Sequence, residues 1–223
     1  MEQVVFHDWK LNEVEAFELQ RQFAGRVERN DRLDNVNTVT GVDVAYDEQS
    51  DRLVAAAVVL DAASLTVIEQ AIAEDVAQFP YIPGLFSFRE LPPIAKVLSQ
   101  LKCKPDLIIC DGQGIAHPRR FGLACHVGIL FDVPTIGCGK TLLRGTHEAV
   151  GTTRGDYAPL VDDGEIVGRA LRTQNGIKPV YVSTGHRVSL PTACAWTLTL
   201  CTKYRLPETT RRADQLVKSL LRR

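Results

Sequence analysis

The sequence predicts an α/β protein built on one mixed central sheet, in which three antiparallel strands are followed by parallel strands and helices flank the sheet. Three observations carry that prediction. The strand-like runs Thr38–Tyr46, Arg52–Leu60 and Leu65–Ala73 are joined by short polar links, Asp47–Asp51 and Asp61–Ser64, and links this short fit hairpins. The run Leu107-Ile108-Ile109-Cys110 is apolar without alternation, as expected of a strand buried on both faces. A helical segment and a second short apolar run, Pro134–Gly137, come after it. Strand, helix, strand implies a parallel pair with a right-handed crossover.

The elements follow in order. Asn12 and Glu15 form a capping-box pattern ahead of apolar residues at Ala16, Leu19, Phe23 and Val27, which predicts an amphipathic helix over residues 12–29. The three-strand meander follows. Pro80-Tyr81-Ile82-Pro83-Gly84 is a stiff segment, since two prolines stop both helix and sheet; it would hold Tyr81 and Ile82 outward, or simply pack as a loop on the core. Proline is tolerated in a first helical turn, so the next helix is expected from Leu91 to Leu101, with Glu90 at its entrance. After the central strand, a helix over Phe121–Phe131 packs through Leu123, Val127 and Leu130. The stretch Arg144–Arg172 is rich in glycine and charge, and only Glu165–Leu171 and then Val180–Ser183 read as short strands. Helices over Pro191–Tyr204 and from Pro207 onward close the chain, the last presenting Leu216, Val217, Leu220 and Leu221 to the core.

Composition narrows the function. The 223 residues fit one domain spanning 1–223, with 45% hydrophobic and 24% charged residues. A net charge of −1 excludes a global polycation, so nucleic acid would have to be met by local patches. Met1–Lys10 lacks the apolar segment of a signal peptide, and the longest apolar run, Leu53–Leu60, is far short of the ~20 residues of a membrane helix. None of the six cysteines forms a CxxC pair, so they read as reduced core thiols of a cytosolic protein.

Gly139-Lys140-Thr141 resembles the end of a phosphate-binding loop, but position 134 is Pro where that motif needs glycine. There is no HExxH and no GxSxG, and His126 falls inside an apolar helix, where packing suits it better than catalysis. The acids remain. Asp111 ends the central strand and is followed by Gly112 and Gly114, the position where open α/β sheets bind ligands. The competing reading is an Asp-Gly turn cap. Asp43 sits among Val42, Val44 and Ala45, where an acid is unfavourable unless paired or bound to a cation, or unless it lies on a solvated face. In the mixed sheet the first and fourth strands become neighbours, so Asp43 and Asp111 lie side by side with Glu90 arriving from the helix between. Bare carboxylates ~4 Å apart repel by ~4 kcal/mol at an effective dielectric of 20. Such a cluster holds together if one acid is protonated or if a hard cation binds, and all-oxygen ligands suit Mg²⁺ or Mn²⁺.

Gly41-Val42-Asp43-Val44-Ala45, Pro80-Tyr81-Ile82-Pro83-Gly84, Phe88-Arg89-Glu90, Asp111-Gly112-Gln113-Gly114 and His117-Pro118-Arg119 resemble, in order, motifs of endonuclease V, the deoxyinosine 3′ endonuclease family; so do Thr184-Gly185-His186-Arg187 and Arg205-Leu206-Pro207-Glu208. The resemblance implies an RNase H-like fold and Mg²⁺-dependent nicking of DNA, with Mn²⁺ able to substitute. The family cuts the second phosphodiester 3′ to a deaminated adenine, leaving 3′-hydroxyl and 5′-phosphate ends. It implies a cytoplasmic DNA-repair enzyme whose partner is DNA containing deoxyinosine, with no membrane, no nucleotide cofactor and a monomeric chain.

By position, Asp43, Glu90 and Asp111 match the family's metal-binding acids, and Lys140 matches a lysine beside them. Asp214 matches a fourth catalytic position that is His or Asp in the family; the competing reading is a surface acid among Arg211, Arg212 and Lys218. Tyr81 matches the wedge residue, in a segment formed with Pro80, Ile82 and Pro83. A rigid apolar wedge can fill the gap left by a flipped base. Gly84, Gly112 and Gly114 are expected to bring backbone donors and acceptors against the displaced hypoxanthine, with His117 beside them. Lys203–Arg223 holds seven basic and two acidic residues, a net of +5, which suits a phosphate backbone or a merely solvated helix face. Two rival readings stay open: an RNase H-like nuclease acting on inosine-containing RNA or on branched or mismatched DNA, and a non-catalytic binder of structured nucleic acid.

Overall fold

A computed structural model of the chain describes residues 1–47 and 50–221. Glu48 and Gln49 of the first hairpin link, and Arg222 and Arg223 of the expected basic segment, lie outside the described residues.

Helix α1 (Glu13–Ala24) begins with the expected capping box: the Glu15 amide donates to the Asn12 side chain at 3.0 Å, and the Asn12 amide donates to Glu15 at 2.8 Å. It ends at Gly25, short of the expected residue 29. Strands β1 (Thr38–Tyr46), β2 (Arg52–Asp61) and β3 (Val67–Val76) form the antiparallel meander. β3 starts later than Leu65, because Leu65 takes a left-handed φ of 56° in the turn and its amide bonds to Asp61. Helix α2 (Phe86–Gln100), strand β4 (Leu107–Cys110), helix α3 (Leu123–Phe131) and strand β5 (Thr135–Gly139) follow. Then come strands β6 (Tyr157–Asp162), β7 (Glu165–Leu171) and β8 (Val180–His186), and helices α4 (Leu190–Leu200) and α5 (Glu208–Leu221).

α2 and β6 depart further from the sequence reading, and α4 ends at Leu200 rather than at the expected Tyr204. α2 starts at Phe86 rather than near Leu91, so Pro92 and Pro93 lie inside it. An interior proline costs about 3 kcal/mol or more. Burial of Phe88, Leu91, Ile94 and Leu98 along one helix face offsets this at roughly 1.5–3 kcal/mol each. Glu90 is therefore past the first turn, not at the entrance. β6 has no counterpart in the sequence reading. It alternates exposed and buried residues and carries Pro159, which an edge strand tolerates.

The eight strands make one sheet in the order β3-β2-β1-β4-β5-β8-β7-β6. β1, β4 and β5 run parallel to one another, as the strand-helix-strand pattern requires. Beyond β5 the sheet returns to antiparallel pairing through β8, β7 and β6. One face is covered by α2 and α3, through Leu91, Ile94, Leu98, Val127 and Leu130 against Val42, Ala55 and Ile108. The other is covered by α4 and α5, through Ala193, Leu200 and Ala213 against Val39, Leu60 and Val182. α5 approaches β1 so closely that a Cβ on Gly41 would stand 2.2 Å from the Thr209 carbonyl carbon; only glycine fits there. Among the described residues, no helix is long and apolar enough to cross a membrane.

Candidate active site

The register places Val42 opposite Cys110 on the parallel pair β1 and β4. Asp43 and Asp111 come next on each strand, so the two acids stand beside each other where β4 ends. Both line a cavity of about 420 Å³ together with Glu90, Lys140 and Asp214. Glu90 reaches it from the α2 layer and Asp214 from the α5 layer, so both faces of the sheet supply acids to one edge. Lys140, just past β5, forms an ion pair with Asp111 and lies 3.8 Å from Asp214. Asp214 also pairs with Lys218 at 2.7 Å, so it is both a cavity residue and a partner in a surface pair. The Asp111 carboxylate faces Lys140 and the cavity, which goes against the turn-cap reading.

The electrostatics show crowding of negative charge. Burial, then repulsion from Asp111, pushes Asp43 up to about 7, against the relief given by Lys140. Burial holds Glu90 well above the ordinary carboxylate range; the Tyr46 hydroxyl opposes that by donating to it, while Asp43 and Asp111 add repulsion. Burial also raises Asp111, partly offset by Lys140. Burial works against the Lys140 ammonium, but Asp111, Asp43 and Asp214 together outweigh it and the net shift is upward.

Among the described residues, no group of three His, Cys, Asp or Glu side chains is gathered closely enough to hold a metal ion by itself. Tyr46 ties up Glu90, and Lys140 ties up Asp111. The donor set nevertheless fits a hard divalent cation. Mg²⁺ keeps several waters and binds through one or two carboxylates plus substrate phosphate, and Asp43 and Asp111 supply two oxygen donors whose mutual repulsion a cation would relieve.

The residues expected at the lesion divide into two sets. Tyr81 is 69% exposed at the cavity edge, set edge-on to Phe86. Pro83, Gly84, Gly112 and His117 also line the cavity. Ile82 is not held outward. It is half-buried and packs on the cluster of Phe79, Leu85 and Phe88, since that apolar surface is available behind the loop. Pro80 is exposed and does not line the cavity. Gly114 is buried beneath the site: its amide donates to Ser183 at 2.9 Å and its carbonyl accepts from Gly122 at 3.0 Å. A Cβ on Gly114 would meet the Thr184 carbonyl oxygen at 1.9 Å, so this buried glycine serves backbone packing and does not line the cavity. The Gly84 carbonyl, too, is occupied. It accepts from Gln20 at 3.0 Å, His117 at 2.9 Å and Arg119 at 2.7 Å. Burial, then the charge of Arg119, lowers His117 to about 4. His126 is fully buried, as its apolar helix implied.

Sequence reasoning missed Tyr46, Gln20 and Arg205, all of which act on site residues through hydrogen bonds. Arg205 lay within a recognised motif without a role. Tyr46 and Gln20 carried no signal, since each meets its partner only after folding.

Comparison with known proteins places this geometry. A family model for endonuclease V matches residues 21–215. The crystal structure of endonuclease V from Streptomyces avermitilis superposes with a TM-score of 0.92 at 53% identity, covering 96% of this chain and 95% of that one. The Bacillus subtilis structure gives 0.93 at 31% identity, over 99% and 97% of the two chains. Endonuclease V of Ciona intestinalis, solved with a 23mer DNA containing an inosine followed by a ribo-adenosine, gives 0.86 at 26% identity, over 95% and 99%.

Proposed function

The chain belongs to the endonuclease V family, and on that premise we propose that it is a divalent-metal-dependent repair endonuclease. It recognises deoxyinosine in DNA and hydrolyses the second phosphodiester on the 3′ side, leaving 3′-hydroxyl and 5′-phosphate ends. The observation that carries this reading is the juxtaposition of Asp43 and Asp111 at the end of two parallel strands, with Lys140 against them, over an open cleft.

Asp43 and Asp111 would hold Mg²⁺, or Mn²⁺ in its place, with Glu90 supporting the site from α2. Bound there, the ion would supply an activated water and offset charge on the phosphate. The protein's own groups do the rest. Lys140 adds a positive charge where negative charge builds on the phosphate. Asp214 helps to orient that ammonium. Taking a base out of the stack costs a few kcal/mol, less for a weakly paired inosine than for a sound pair. Tyr81 stands free to fill the gap left behind, while Gly84, Gly112 and His117 form the wall that the extruded base meets. Five of the six cysteines are buried and all are free thiols, which suits work in the cytoplasm; we assign the activity to a monomeric single domain with the RNase H-like fold.

The experiment is direct. A duplex with one deoxyinosine is incubated with Mg²⁺ or with EDTA, and the nick is mapped on both strands. Cleavage one nucleotide beyond the lesion's 3′ neighbour bond, only with the metal, is expected. A band shift without cutting would make the chain a binder instead. The Ciona complexes, with a ribo-adenosine after the inosine, favour one second reading: an inosine-containing strand carrying ribose at the cut. Faster cleavage of the ribose strand would support it.

A further inference from the structure

Arg205 belongs to a motif, Arg205-Leu206-Pro207-Glu208, that the chemistry above leaves without a role. It lies between α4 and α5, and its guanidinium reaches the main chain next to the ends of β5 and β8. Nε donates to the Lys178 carbonyl at 3.0 Å, and Nη2 donates to the carbonyls of Lys140 at 2.6 Å and Pro179 at 2.8 Å. Among the described residues, no carboxylate pairs with it; its hydrogen bonds go to main-chain oxygens. Its own carbonyl is fixed in turn by the Thr173 hydroxyl at 2.7 Å.

The position of these carbonyls explains why an arginine is needed. The β5–β8 ladder runs as far as Gly139 opposite Tyr181. The next residue, just past β5, is Lys140. On β8's side the chain leads back to Pro179, which has no N–H to continue the ladder. The partly buried carbonyls of Lys140 and Pro179 are met by the Arg205 side chain instead, and a carbonyl left unpaired away from water is costly. The two N–H groups on Nη2 supply both, while Nε holds the Lys178 carbonyl. The strand end is closed by a side chain rather than by backbone pairing.

We infer that Arg205 is a positioning residue: it fixes the backbone of Lys140 so that the ammonium stands against Asp111. This rests on the proposed role of Lys140. The same segment runs directly into α5, with Glu208 accepting from Arg211 and Arg212 at its first turn. The Lys140 loop and the helix that carries Asp214 are thereby braced to one another.

Arg205→Ala and Arg205→Lys, made in the full chain, are assayed with Mg²⁺ on the inosine duplex alongside Lys140→Ala. Misplacing a reacting group by about 1 Å costs up to ~100-fold, so kcat of Arg205→Ala is expected to fall about 10- to 100-fold while KM for the duplex holds. Guanidinium at a concentration below that which unfolds the protein restores part of the Arg205→Ala turnover and none of the Lys140→Ala turnover. Arg205→Lys is expected to fall between wild type and Ala, because a single ammonium nitrogen replaces the two nitrogens, Nε and Nη2, that hold three carbonyls. Wild-type kcat in a folded Arg205→Ala overturns the inference. So does a loss that follows the folded fraction and is not rescued. If Lys140→Ala itself cuts normally, the reading of Lys140 fails; if Lys140→Ala is dead and Arg205→Ala fully active, the brace alone fails.

Discussion

The Tyr46 hydroxyl donates a hydrogen bond to the Glu90 carboxylate, joining the end of β1 to α2. The ring is also covered by the Arg89 guanidinium, 5.2 Å from its centre. A donor favours the ionised form of a carboxylate, so Tyr46 opposes the burial that raises Glu90.

Tyr46→Phe keeps the ring and its contact with Arg89 but removes the donor. A bond of about 1 kcal/mol corresponds to roughly a five-fold change in an equilibrium. The Mg²⁺ concentration for half-maximal nicking is expected to rise by about that factor, and calorimetric titration of Mg²⁺ should weaken in parallel. An unchanged Mg²⁺ dependence by both methods would separate Glu90 from the ion.

Asp111→Ala removes one of the two strand-end acids without touching the packed core, because its side chain faces the cavity and Lys140. Nicking is expected to disappear while the melting temperature moves by no more than a few degrees. Near-normal cleavage by this variant would refute the role given to the strand-end pair.

Tyr81→Ala exposes no core, since the ring is already 69% exposed. Its expected effect is on discrimination. The preference for deoxyinosine duplex over undamaged duplex should drop, with binding to undamaged DNA little changed. Equal losses on both would argue against a wedge.

His117 gives a pH prediction with a defined sign. Its folded value is about 4 against an ordinary 6.5, so between those values the unfolded chain binds the extra proton. Stability from this group is complete above pH ~6.5 and is lost as pH falls towards ~4, by about 3 kcal/mol in all. His7 and His126 are lowered as well, so the wild type should lose more than His117 alone accounts for. His117→Gln retains a donor for Gly84 and does not titrate. Urea melts at pH 7 and pH 4.5 should show a smaller acid loss in the variant; an identical loss would mean that the imidazole is solvated.

What the sequence made legible is what local pattern determines. Asp111 after an unalternating apolar run, and Asp43 inside another, were readable as strand acids, and adjacency followed from the order of strands. The start of α2 was not readable, because two prolines argue locally for a beginning, and only the burial of Phe88 and its neighbours overrides them. β6 hid behind Pro159 and its glycine-rich surroundings. Gly112 and Gly114 looked alike in the sequence, yet one lines the cleft and the other is wedged under Thr184. Nothing in a linear pattern separates those two fates, which depend on a strand seventy residues further along the chain.

Gly41 lies against the Thr209 backbone, so the first strand and α5 meet with no side chain between them. During synthesis β1 leaves the ribosome long before α5 has been made. Until it has, Val54 and Ala56 lack their cover of Val217 and Leu216, and the cleft lacks the wall that bears Asp214. The cover of β2 and the wall of the cleft that bears Asp214 are thus completed together, once α5 has been made.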